Sequence, residues 1–315
     1  DGSAFRKLIF TGNHVSLKVY KLYSDTFIMY NRQKVLLYVI LELKKLGRTL
    51  PRTYLDKFLF LLKKETNLGN LVKFYNFFPH NYGPFSNQFY FDLGDLQSRA
   101  YLVEDIELHD INVIKSANEV EGLLSQEEKQ IVDEIVTKYG DYTTKQITDY
   151  AYATYPEYAE RSLLKKQVKR DHLAGIFSIG YEKKDIDSFL DLLVQNHVDI
   201  VVDVRANPFS MNFSFTKSKL VHYLKKAGIE YLHIPELGIN GEYRKDLKTD
   251  ADYAELFGFY NREILPKQGS KLNVIIELGK KKRVALLCFE KDKVRCHRGI
   301  VSRELEKQGI LVKHL

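Results

Sequence analysis

The chain has 315 residues, of which 44% are hydrophobic and 28% charged, and its formal net charge is +7. This length and composition allow a sizeable core and favour two domains over one. Two cysteines cannot frame a disulfide scaffold, so we expect a reducing compartment. No secretory segment opens the chain and its apolar runs are too short to cross a bilayer, which predicts a cytoplasmic protein without a membrane partner.

The first half of the chain alternates helical patterns with short polar breaks. Residues 32–46 place apolar groups at helical spacing and stop at Gly47, and residues 50–65 form a second amphipathic segment. An aromatic, strand-like run over 73–78 follows, and then a helix over 86–99 and a short extended piece. This order predicts a mostly helical, winged-helix-like domain.

Two further helices are predicted before the middle of the chain. Ser125 and Glu128 form a capping box ahead of an apolar stripe that runs to residue 139. The next helix stops before Pro156, because the residue preceding a proline disfavours helical geometry. We place the first domain at residues 1–165.

A sharp turn is predicted at Tyr82-Gly83-Pro84-Phe85-Ser86. Glycine permits backbone conformations that other residues resist, proline fixes φ, and serine can cap a following helix. With Asp92 and Leu96 on that helix, the motif resembles bacterial YwgA-like and Panacea-type antitoxin domains. The turn and the cap alone also explain each of the five residues.

Basic residues cluster twice, and both runs are candidates for contact with nucleic acid. A solvated protein face is the competing interpretation of each run. The clusters are Lys165, Lys166, Lys169 and Arg170, and then Lys280, Lys281, Lys282 and Arg283.

The second half changes to strands that alternate with helices and are apolar on nearly all faces. This pattern predicts a Rossmann-like α/β domain over 173–315, with a parallel sheet covered by helices on both sides. The GxGxxG pattern of a dinucleotide site is absent, and the sequence specifies no cofactor.

Ligands of open parallel sheets bind beyond the carboxyl ends of the strands. Polar or special residues stand at all four strand ends that we compared, which makes them candidate site residues. They are Tyr181 after the first strand; Asp203, Arg205 and Asn207 after the second; His233 and Glu236 after the third; and Cys288, Glu290, Cys296, His297 and Arg298 after the fourth.

The same residues carry a second resemblance. Residues 176–315 resemble the bacterial and archaeal family called domain of unknown function 488. The motifs that match are Ser-Ile-Gly-Tyr (178–181), Asp-Val-Arg-Ala-Asn-Pro (203–208), Pro-Glu-Leu-Gly (235–238), Leu-Leu-Cys-Phe-Glu (286–290), Cys-His-Arg (296–298) and the closing Val-Lys-His-Leu. The resemblance implies the fold and leaves the substrate open.

An anion site is the interpretation that we favour for the Cys-His-Arg row. Arg205, Arg298 and the helix start at 297–299 offer guanidinium groups and free N–H groups suited to phosphate. His297, Glu236 and Glu290 can then move a proton or contact the ligand. Arg298 can instead form an ion pair with Asp203 or Glu290, which would have only a structural role in connecting the strand ends.

Three other chemistries remain open. Cys296 can be a nucleophile, because a thiol at a helix start beside cations is stabilised as the thiolate. Cys288 takes the position of the rhodanese cysteine, but its loop FEKDKVR has no glycine and carries two acids. Zinc has suitable ligand types, although Cys-x-x-Cys and His-x-x-x-His spacings are absent, so we predict no metal site.

Two classes of function follow from this sequence. One is an enzyme that acts on a nucleotide or nucleic acid, and the other is a non-catalytic protein that binds nucleic acid or senses a nucleotide. The expected partners are nucleic acid or a phosphorylated small molecule. The sequence leaves the oligomeric state open.

Overall fold

The structure is a computed structural model that describes residues 6–11, 14–19, 29–164, 172–244 and 247–315. The first half is mostly helical and also contains three antiparallel strand pairs. Its strands are β1 (Arg6–Thr11), β2 (His14–Val19), β3 (Phe78–His80), β4 (Gly83–Phe85), β5 (Leu102–Asp105) and β6 (Asp110–Val113). Its helices are α1 (Asn31–Lys45), α2 (Arg52–Glu65), α3 (Leu68–Leu71), α4 (Asn87–Ser98), α5 (Ala117–Glu121), α6 (Gln126–Tyr139) and α7 (Thr144–Thr154).

Helix boundaries in the first half follow the signals in the sequence. Gly47 follows α1 with a φ of +70°, as a helix-terminating glycine does. The Ser125 side chain accepts from the backbone N–H of Glu128 at 3.3 Å, and the Glu128 carboxylate accepts from the Ser125 N–H at 2.7 Å. The capping box is therefore confirmed.

The aromatic run over 73–78 differs from its prediction as a strand. The strand begins only at Phe78, and the residues before it are irregular. Phe74, Tyr75 and Phe77 are buried in the core of the first half. Their apolar character thus reflects burial on several sides, which periodicity cannot distinguish from a buried strand.

The second half is an α/β unit, as predicted. Five of the described strands form one parallel sheet in the order β11-β7-β10-β8-β9. The strands are β7 (Gly175–Gly180), β8 (Ile200–Asp203), β9 (Glu230–His233), β10 (Arg283–Cys288) and β11 (Val312–His314). The helices are α8 (Ile186–Gln195), α9 (Lys217–Lys226), α10 (Asp250–Phe259), α11 (Gly269–Gly279) and α12 (His297–Lys307).

Side chains of the central strand β10 alternate between two apolar cores. Val284, Leu286 and Cys288 pack on the face covered by α10, α11 and α12. Ala285 and Leu287 pack on the opposite face, which α8 and α9 cover. This alternation follows from the two-residue period of a strand, and it places the Cys288 thiol on the side of α12.

The two halves meet through the turn motif and helix α8. Ser86 caps α4 by accepting from the Phe89 N–H at 3.2 Å, and its hydroxyl donates to the Asp187 carboxylate at 3.0 Å. Asp187 also accepts from both nitrogens of Asn87 and from the backbone N–H of Gln88, at 2.8–3.0 Å. Phe78 lies in the core beneath α8. The motif therefore caps a helix and also joins the halves.

Asp191, one turn further along α8, should make stability depend on pH. Burial raises its pKa from 3.8 to about 6, although Gln195 and Lys64 favour the ionised form. The folded state therefore binds the proton more tightly than the unfolded state, and stability falls as pH rises from about 4 to about 6. We expect Asp191→Asn to stabilise the chain at pH 7.5 by about 1 kcal/mol, with allowance for partial exposure. The gain should vanish at pH 4, and thermal unfolding at both pH values checks this.

The second basic run makes local contacts. Lys280 pairs with Glu277 at 2.5 Å and Lys282 with Glu230 at 2.6 Å. The Arg283 guanidinium donates to the carbonyls of Asn196 and Leu173 at 2.9 and 2.6 Å. The first run, Lys165 to Arg170, lies outside the described residues. Within the part of the chain that is described, each helix is too short or too polar to span a bilayer.

Candidate functional site

The carboxyl ends of the central strands bring the candidate residues together. The parallel register pairs Cys288 with Gly180, and Leu287 with Asp203. The loops that leave these strands therefore start at the same edge of the sheet, as expected for a ligand-binding edge. Helix α12 begins at this edge, with Cys296 as its N-cap residue and His297 as its first residue.

A cavity of about 370 Å³ opens at this edge. Its size lies within the usual range for small-molecule sites. The loop after β8 forms much of the wall, and its outer side chains Phe209 and Met211 are exposed. The lining residues are Tyr181, Arg205, Ala206, Asn207, Phe209, Ser210, Met211, Asn212, Ile239, Gly241, Cys288, Phe289 and His297.

Cys288 and His297 form a close pair in the cavity wall. The Cys288 Sγ lies 3.6 Å from Nδ1 of His297 and 3.4 Å from Oε2 of Glu290. The Nε2 of His297 lies 2.9 Å from the carbonyl oxygen of Val204. A carbonyl can only accept a hydrogen bond, so Nε2 carries the proton and Nδ1 is the nitrogen with a free lone pair. The Cys288 Sγ lies at similar distances from the two ring nitrogens, 3.6 Å from Nδ1 and 3.9 Å from Nε2.

Cys296 occupies a different environment from Cys288. Its side chain is buried and lies outside the cavity wall. Burial raises the pKa of the Cys296 thiol well above its ordinary value, and the neighbouring Cys288 adds to the rise. These surroundings favour the neutral thiol at Cys296, whereas a reactive cysteine needs the thiolate.

The two cysteines and His297 also have the chemistry of a metal site. One ligand atom from each of Cys288, Cys296 and His297 lies within 4.8 Å of the other two. Thiolate and imidazole are the ligands that zinc prefers, and zinc-bound histidines commonly donate their other ring N–H to a carbonyl, as His297 does to Val204. The fold thus brings together ligands that the sequence spacing does not predict.

Arg298 holds the loop between β10 and α12. Its side chain is 1% exposed, and it donates to the carbonyl oxygens of Glu290 and Lys291, the latter at 2.9 Å. Gly180 is needed on the opposite side of this loop, because a Cβ there would lie 1.9 Å from the Glu290 carbonyl oxygen. The loop consequently directs carbonyl oxygens toward Arg298, a geometry unlike that of an anion cradle built from N–H groups.

Arg205 is the centre of a buried polar network. Its guanidinium makes a two-pronged ion pair with Asp203, at 2.8 and 2.6 Å, and donates to the Tyr181 hydroxyl at 2.9 Å. The Tyr231 hydroxyl donates to Asp203 at 2.8 Å. The Tyr181 ring stacks on Phe215 with centroids 4.3 Å apart. These contacts compensate the two buried charges and fix the cavity wall.

Comparison with family models adds two findings. Residues 185–305 match Domain of unknown function DUF488. Residues 57–156 match the antitoxin SocA-like Panacea domain, and this range contains the Tyr-Gly-Pro-Phe-Ser motif. Both resemblances predicted from the sequence are confirmed. No curated protein matches the chain, and no solved structure matches it.

Several expected site residues of the DUF488 region lie outside the cavity wall. Glu236 is exposed and pairs with Lys271 at 2.6 Å, which lowers its pKa. The Nε2 of His233 lies 2.8 Å from the Arg205 carbonyl oxygen, so this ring supports the loop after β8. Asp203 and Arg298 are internal, as described above. Tyr181, Arg205, Asn207 and His297 do line the cavity.

The loop over 209–212 is a part of the cavity wall that was not predicted from the sequence, whereas Cys288 was named there as a residue at a strand end. Cys288 is 2% exposed and borders the cavity. The signal available in the sequence was its place at the end of a central strand. Phe209 and Met211 stand out only as apolar residues in a polar loop, and exposed apolar groups beside a cavity often contact a ligand.

Proposed function

We propose that the DUF488 region is a cysteine-dependent enzyme that acts on a nucleotide or nucleic acid, with Cys288 as the nucleophile and His297 as its base. This proposal rests on one observation: the Cys288 thiol contacts Nδ1 of His297, and both residues line an open cavity. The Val204 carbonyl supplies the third group, because it fixes the tautomer and the orientation of the ring. Nucleophile, base and orienting group form the arrangement that activates a thiol.

The proposed reaction is group transfer through a covalent thiol intermediate. The thiol proton moves to Nδ1 of His297 while Sγ forms a bond to the electrophilic atom of the substrate. His297 then returns this proton to the leaving group as its bond breaks. In the second step His297 takes a proton from water or another acceptor, the new bond forms, the bond to Sγ breaks and the proton returns to the thiolate.

The cavity rim supports a planar, polar substrate. Phe209 and Phe289 expose 66% and 46% of their surface and offer ring faces to a base. Asn207, Ser210 and Asn212 add hydrogen-bonding groups to the wall. The formal charge of +7 for the whole chain favours an anionic substrate.

The contacts of Arg298 and Arg205 agree better with the thiol mechanism than with a phosphate-binding site at Arg298. Arg298 donates to loop carbonyls and Arg205 pairs with Asp203, so both cations already have partners. A non-catalytic binding protein would use the same cavity without needing a Cys288–His297 pair. Nucleic-acid binding by a wing in the first half has weak support, because the β5–β6 hairpin carries the acids Glu104, Asp105 and Glu107.

Alkylation with nucleotide protection tests the proposal. Iodoacetamide at pH 7, followed by peptide mass spectrometry, should label Cys288 before Cys296, because Cys288 alone of the two lines the cavity. An equimolar mixture of the four ribonucleoside 5′-monophosphates, or a short single-stranded oligonucleotide, should slow the labelling of Cys288. The Phe209→Ala variant should lose this protection.

Phe213→Ala is the matched control, because Phe213 is equally exposed at 67% but lies outside the cavity wall. It should retain protection. Faster labelling of Cys296 than of Cys288 would contradict the proposed site. Nucleotide protection of Cys288 that persists in the Phe209→Ala variant would contradict it as well. One equivalent of zinc retained through purification, lost on Cys296→Ser, would replace the thiol mechanism by a metal centre.

A further inference from the structure

A second cavity, of about 540 Å³, lies between the two halves of the chain. Helix α2, the β3–β4 turn and α4 form one side, and α9 forms the other. It shares no lining residue with the cavity that contains Cys288. The two cavities are therefore separate sites on the chain.

A buried carboxylate with an unmatched oxygen lines this cavity. Asp56 is 1% exposed, and its Oδ1 has no hydrogen-bond partner among the described residues. The other oxygen lies 3.8 Å from Nζ of Lys57, which donates to the Pro84 carbonyl at 3.0 Å. An unmatched buried oxygen destabilises the folded chain, and a ligand N–H would remove that penalty.

The opposite wall carries positive charge. Lys219, His222 and Lys226 stand three and four residues apart on α9, so they share one face of the helix, and all three are exposed. Neither lysine forms an ion pair within the described part of the chain. This face is suited to the phosphate of a ligand whose other end reaches Asp56.

Aromatic rings also line this cavity. Phe85 and Tyr90 stack with centroids 4.8 Å apart and an interplanar angle of 18°. Tyr82 and Phe91, also in the wall, are largely exposed. Aromatic faces beside a cavity are suited to a flat heterocycle.

We propose that this cavity binds a guanine nucleotide, with the N–H groups of the base on Asp56 and the phosphate on Lys219 and Lys226. Guanine presents a ring N–H and an amino group side by side, and one carboxylate can accept from both. Adenine offers an amino group beside a ring nitrogen that only accepts, so it would meet the carboxylate with a lone pair. The site is separate from the thiol centre and does not depend on it.

Calorimetric titration of the full chain with GMP tests the proposal, with AMP as the competing ligand. GMP should bind about ten-fold more tightly than AMP, because AMP would leave the buried acceptor unpaired. The double variant Lys219→Glu/Lys226→Glu should weaken GMP about ten-fold or more, and so should Asp56→Asn. Lys225→Glu, on the same helix but outside the cavity wall, should change affinity less than two-fold.

The lysine variants change only exposed side chains, so they keep the test valid if Asp56→Asn unfolds the chain. Undetectable GMP binding to the wild-type chain would overturn the proposal. Equal affinities for GMP and AMP would overturn the role of Asp56. GMP binding that survives the lysine double variant but protects Cys288 from alkylation would place the nucleotide in the thiol cavity and contradict a second site.

Discussion

Replacing His297 by alanine should slow the alkylation of Cys288 by iodoacetamide at pH 7 by about ten-fold or more. A thiol without a neighbouring base is only about 3% thiolate at this pH, and the thiolate is the species that reacts. Two groups near Sγ can take the proton, Nδ1 of His297 at 3.6 Å and the Glu290 carboxylate at 3.4 Å, and the proposed mechanism gives this role to His297. Time-resolved peptide mass spectrometry measures the rate.

The matched control for this experiment is His197→Ala. His197 stands just before β8, so it lies at the opposite edge of the sheet from Cys288. Its removal should leave the labelling rate within two-fold of wild type. An unchanged rate in His297→Ala would show that the imidazole does not activate Cys288, and the proposed enzyme mechanism would then be wrong.

Asp187→Ala should destabilise the folded chain by about 3 kcal/mol. The substitution leaves the Ser86 hydroxyl, both Asn87 nitrogens and the Gln88 N–H without their shared acceptor in a buried interface. Burial raises the pKa of Asp187 to about 6, and the hydrogen bonds from Gln88 and Asn87 oppose that rise. Urea unfolding, followed separately in each half, measures the loss.

We also expect Asp187→Ala to split unfolding into two transitions, because the variant loses polar contacts that couple the halves. Asp191→Asn, four residues along the same helix, provides a control of opposite sign, since it should stabilise the chain at pH 7.5. A loss below 1 kcal/mol with a single transition would mean that apolar contacts such as Phe78 hold the halves together.

Local signals explain why much of the fold could be predicted from the sequence. The Ser125–Glu128 capping box, Gly47 after α1 and the apolar runs of β7, β8 and β10 each depend on neighbours within a few residues. The alternation of strands and helices then left a covered parallel sheet as the expected arrangement. Periodicity failed at residues 73–77, where burial without regular structure gives the same apolar pattern as a strand.

The site could be predicted less well, because its chemistry depends on contacts across the chain. Cys288 and His297 belong to two separate motifs and are nine positions apart, so their contact depends on the loop between them, whose carbonyls accept from Arg298. The sequence identified Arg205 and Arg298 as cations but could not show which partners they already have. Asp56 looked like an ordinary polar position in α2, and only the packing of the halves reveals its unmatched oxygen.

The strand order of the sheet has a consequence for synthesis on the ribosome. Strand β10 lies between β7 and β8, yet it is made after both of them and after β9. Until β10 emerges, β7 has neither of its neighbours, because β11 follows later still. The nascent chain must therefore keep an apolar strand unpaired for more than a hundred residues, which is a state prone to aggregation. Because Cys288 ends β10 and His297 begins α12, the contact between them can form only after more than a hundred residues beyond β7 have been made.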